Sequence, residues 1–61
     1  MEKIILNLPR EIKLGILRDT LKDNKFDEFL AFSKILLNAP ISEGGIETET
    51  IEAIRKEFYN D

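Results

Sequence analysis

Sixty-one residues with nine Lys/Arg, twelve Asp/Glu, no His and no Cys make a small acidic chain of formal net charge −3. Such a length forms one domain that buries only about 60% of its unfolded surface, so a lone core is marginal. Without Cys or His, disulfides and the usual structural zinc sites are excluded as staples. That leaves close helix packing or association with a second copy. The expected state is a homodimer.

Residues 3–8 open the chain with Ile4, Leu6 and Leu8 alternating with Lys3, Ile5 and Asn7, a period of two that predicts a short strand. Pro9 ends it, having no N–H for a ladder, while its fixed φ suits a first helical turn. A strand alone is unstable in water, and no second convincing strand follows. The opening Met-Glu-Lys with three apolar residues matches neither a signal peptide nor a membrane span, so a cytoplasmic protein without a membrane partner is expected.

A first helix is predicted from about Pro9 to Lys22, with Ile12, Ile16, Leu17 and Leu21 as its apolar face and Gly15 permitting a close crossing. Asp23-Asn24-Lys25 breaks it, since Asn tolerates left-handed geometry. A second helix follows from about Phe26 or Asp27 to Leu37, with Asp27 as its N-cap. Phe29, Leu30, Phe32, Ile35, Leu36 and Leu37 make that helix apolar around most of its circumference, which points to burial on more than one side. Asn38-Ala39-Pro40 ends it, and Ile41–Ile46 with Gly44-Gly45 reads as a flexible connector. A third helix, about Glu47 or Thr48 to Tyr59, carries Ile51, Ile54 and Phe58, and Asn60-Asp61 is expected to fray.

Charge divides along this line. Residues 1–38 carry seven Lys/Arg against six Asp/Glu, whereas residues 39–61 carry two against six. The domain reading is therefore residues 1–38 as a strand plus two helices, 39–46 as connector, and 47–61 as a separable acidic helix. Chemistry is sparse. The usual general base and soft nucleophile are missing, Gly44-Gly45 lacks the Lys of a phosphate loop, and Asp19, Asp23 and Asp27 straddle a helix break without calcium-loop spacing. No enzyme, cofactor or metal is expected.

The run Asn7-Leu8-Pro9-Arg10-Glu11-Ile12, a strand end followed by two helices, resembles the strand-to-helix junction of the ribbon-helix-helix family of DNA-binding proteins. The resemblance implies a mostly α fold: a short N-terminal strand and three helices, intertwined as a dimer whose strands pair into a ribbon that enters the major groove. It places Lys3, Ile5 and Asn7 against the bases, with Arg10 and Lys25 near phosphates. Ile4, Leu6, Leu8, Phe29, Leu30 and Leu36 would then form the dimer interface. Leu8-Pro9-x-Glu11-Ile12 is also similar, over a shorter stretch, to the opening of the F-box motif, a helical adaptor.

Two functions follow. One is a dimeric DNA-binding regulator, antitoxin-like, whose acidic C-terminal helix meets a protein partner. The other is a small helical interaction module, inhibitor or adaptor, that binds no nucleic acid. The alternating head favours the first. The acidic balance and the carboxylates Asp27 and Glu28 at the second helix start favour the second.

Overall fold

The computed structural model describes residues 2–59, and Met1, Asn60 and Asp61 lie outside that range. Within it run α1 (Glu2–Leu6), α2 (Arg10–Lys22), α3 (Phe26–Asn38) and α4 (Thr48–Tyr59), with a turn of 3-10 helix at Ile41–Glu43. No strand occurs among the described residues, so the expected N-terminal strand and paired ribbon are corrected to a short helix.

The reason is local. Ile4-Ile5-Leu6 is an unbroken apolar run, and Glu, Lys and Leu are good helix formers. A lone strand would leave its backbone groups without partners, whereas a helix satisfies them internally. The Asn7 and Leu8 N–H groups accordingly donate to the Lys3 and Ile5 carbonyls at 3.0 and 3.1 Å. Side chains then follow a helical period. Ile5 and Leu6 pack on the core, while Ile4 is 70% exposed, reversing the inward and outward assignments of 4 and 5. Pro9, at ψ 148°, separates α1 from α2.

Helix α2 is central and packs against both α3 and α4. Its buried face is Lys13, Leu17 and Leu21, with Leu14 beside it, so the apolar face is rotated from the one expected and leaves Ile12 51% exposed. At its C-terminus Asn24 takes φ 60°, the left-handed geometry its residue type predicts. The Asn24 and Lys25 N–H groups reach back to the Leu21 and Thr20 carbonyls at 3.1 and 2.8 Å, closing a Schellman motif. Helix α3 starts one residue before Asp27, with Lys25 at the cap position. Asp27 and Glu28 instead lie in the first turn, where the helix dipole favours them.

Residues 41–46 are a packed joint and not a flexible connector. The Ile46 N–H donates to the Leu36 carbonyl at 3.1 Å, and Gly45 N–H to Pro40 carbonyl at 2.9 Å. Gly44 sits at φ 101°, and a Cβ there would run into the Leu6 carbonyl; one on Gly45 would meet the Ala39 carbonyl. Both glycines are needed for close backbone approach. Gly15, by contrast, has nothing within contact range of a built Cβ, so it supports no helix crossing.

One cluster joins the chain: Leu17, Leu21, Phe29, Leu36, Ile46, Ile51 and Ile54. It includes residues of α4 and of the joint, so the C-terminal helix is part of the core and does not stand apart. Arg10 pairs with Glu47 at 2.8 Å and Arg18 with Glu57 at 3.4 Å. These two pairs order the ends of α2 and α4 alike, so the helices run in the same direction.

Candidate interaction surface

Helix α3 turns Phe29, Ser33 and Leu36 into the core. At 100° per residue, Phe26, Leu30 and Leu37 fall on the neighbouring flank. They are 38%, 50% and 43% exposed. Phe26 stacks on the buried Phe29, with ring centroids 5.9 Å apart, and meets Tyr59 of α4 edge-on at 6.3 Å. The exposed ring of Tyr59 therefore extends the flank at its N-terminal end. Along the outer edge of this apolar strip stand the exposed residues Asp27 and Lys34.

The residues expected to read DNA do not form one surface. Lys3 on α1 and Asn7 just past its end come together around a shallow depression that Leu6 and Glu43 also line. Ile5 is half-buried against the core and unavailable to a base. The Arg10 guanidinium donates to Glu47 Oε1 at 2.8 Å and to Thr50 Oγ1 at 3.4 Å. That contact, with the Thr50 hydroxyl and the Glu47 backbone adding to it, holds the Glu47 carboxyl below the usual carboxylate value. Lys25 lies past the far end of α2, roughly 20 Å from its start for a helix of this length. It shares a second shallow depression with Asp27 and Glu28.

Of the expected dimer residues, Phe29 and Leu36 are corrected to monomer core, at 2% and 0% exposure. They face inward because they share the α3 side that packs on α2. Leu6 and Leu8 are half-buried, whereas Ile4 and Leu30 are open to solvent.

Sequence reasoning missed Lys13. Its side chain is buried, and Nζ donates to the carbonyls of Leu6 and Gly44 at 3.1 and 2.7 Å. The ammonium thus ties the C-terminus of α1, where the dipole favours a cation, to the glycine joint. The available signal was its spacing of four and eight residues from Leu17 and Leu21.

Among the described residues no group of acidic side chains is arranged to hold a metal ion, and no helix is long and apolar enough to cross a membrane. No protein-family model matches the chain, and comparisons with curated proteins and with solved structures give no match either.

Proposed function

We propose that this chain is a small non-enzymatic helical module that acts by binding a protein through the outer flank of α3. One observation carries the reading. Phe26, Leu30 and Leu37 are exposed apolar side chains aligned on one flank of a helix whose other side is already satisfied by the core. Scattered surface leucines need no explanation, but apolar side chains aligned beside a charged edge suit a contact surface.

Charge supports the same reading over a duplex-binding one. Arg10 is occupied by Glu47, Lys3 shares its depression with Glu43, and Lys25 stands beside Asp27 and Glu28. A phosphate backbone approaching any of these cations also meets a carboxylate.

Site-specific photo-crosslinking in cells tests the proposal. A benzophenone side chain replacing Leu30 is expected to yield protein adducts, whereas one replacing Ala53, exposed on α4, yields none. Absence of adducts from position 30 overturns it, and salt-sensitive duplex binding lost on changing Lys3 and Asn7 to Ala would then favour the nucleic-acid reading.

A further inference from the structure

We infer that the occupant of the α3 flank is a second copy of this chain, docked with its α3 antiparallel to the first across a two-fold axis. The inference rests on reading that flank as a contact surface, and it names the partner. Phe26, Leu30 and Leu37 recur at spacings of four and seven residues, while Ser33 between them is turned into the core. Those spacings keep the three exposed side chains on one stripe, as in the seam of two helices packed side by side.

The charges choose both the occupant and its direction. Asp27 and Lys34 are seven residues apart, two helical turns, so they stand one above the other on the same edge of the strip. A two-fold axis perpendicular to the helices keeps that edge and reverses the chain direction. Asp27 of each copy then lies beside Lys34 of the other, and the contact is made twice. In the same register Phe26 faces Leu37 of the second copy, and Leu30 of each copy lies near the axis. A parallel pair would put the Asp27–Lys34 edges of the two copies on opposite sides of the seam, so neither contact would form. The strip is thus self-complementary in one orientation, as an isologous contact requires. A 61-residue chain without disulfides also gains most from such an association.

Charge reversal with light scattering decides the matter. The full chain is expected to rise from 7.1 kDa to twice that mass as concentration increases from micromolar to millimolar. Asp27→Lys and Lys34→Asp each turn two attractive contacts into two repulsive ones, weakening association by roughly tenfold or more. Mixing these two variants makes both contacts attractive again, so the equimolar mixture regains the doubled mass that neither variant reaches alone. Helicity measured in parallel confirms that each variant is folded.

A wild-type chain that stays at 7.1 kDa throughout overturns the inference. So do single variants that associate like the wild type, or a mixture that does not associate. Adducts from position 30 to a different protein, with the chain itself monomeric, remove self-docking but leave the contact-surface reading intact. Absence of any adduct removes that reading as well.

Discussion

Leu36 and Leu37 are neighbours in one helix, yet the first is fully buried and the second is 43% exposed. They stand for two sides of α3. The inner side meets α2 and completes the core, whereas the outer flank carries the same residue types and, apart from the Phe26 contacts with Phe29 and Tyr59, faces solvent. Composition cannot separate these sides, because both read as apolar. What separates them is 100° of rotation per residue about the helix axis. Burial, and not hydrophobicity, decides which leucine holds the fold and which is free to hold a partner.

The comparison breaks most visibly by truncation. Leu36→Ala removes a fully buried side chain and is expected to cost about 2–5 kcal/mol, enough to unfold a chain of this size. Leu37→Ala in dilute solution is expected to stay within about 0.5 kcal/mol of wild type. Urea unfolding of the two variants checks both, and equal losses would erase the distinction between the sides.

The glycine joint that leads away from the inner side comes next. Gly44→Ala combines overpacking against the Leu6 carbonyl with an unfavourable left-handed φ, for a loss of about 2–4 kcal/mol. Lys13→Met leaves the Leu6 and Gly44 carbonyls without their charged donor, a loss of about 1–3 kcal/mol relieved in part by no longer burying an ammonium. Hydrogen exchange at α1 would register this as faster opening of residues 5–8, with α4 less affected. Gly15→Ala is expected to stabilise the chain by about 0.5–1 kcal/mol, since the position is helical and nothing occupies the space.

The smallest effect is electrostatic. The Glu47 carboxyl is held below its ordinary value by Arg10. Its stabilising contribution is therefore present above the unfolded-state carboxylate range and is lost as the pH falls through the depressed folded value. Glu47→Gln is expected to flatten this part of the acid limb of a stability–pH curve while leaving neutral-pH helicity unchanged.

Much of the helical frame is legible in the sequence, and the failures have physical causes. Asn24 announces the α2–α3 turn because few residues other than glycine accept positive φ. Asn38-Ala39-Pro40 likewise marks the end of α3. The head is misread because Ile4-Ile5-Leu6 is too short and too uniformly apolar for periodicity to choose between strand and helix. Gly44-Gly45 is misread because glycine reports that the backbone needs freedom, not whether the reason is flexibility or close packing. On α2 the buried lysine conceals the true face: an apolar count follows Ile12, whereas the core follows Lys13.

The interaction surface is half legible. An all-round apolar α3 points to a second contact, but only the structure shows that Phe29 and Leu36 are spent inside and that Phe26, Leu30 and Leu37 remain. Arg10 illustrates the converse. It reads as a free cation until its contact with Glu47, thirty-seven residues away, is known.

The two-sided α3 is tested most directly by the response of leucine methyl resonances to a soluble paramagnetic relaxation agent, measured from dilute to concentrated protein. Leu36 is expected to be protected at every concentration. Leu30 and Leu37 are expected to be broadened in dilute solution and to become protected together as the chains associate. If Leu30 and Leu37 stay equally accessible at all concentrations, or if Leu36 is broadened alongside them, the division of α3 into a core side and a self-docking flank is contradicted.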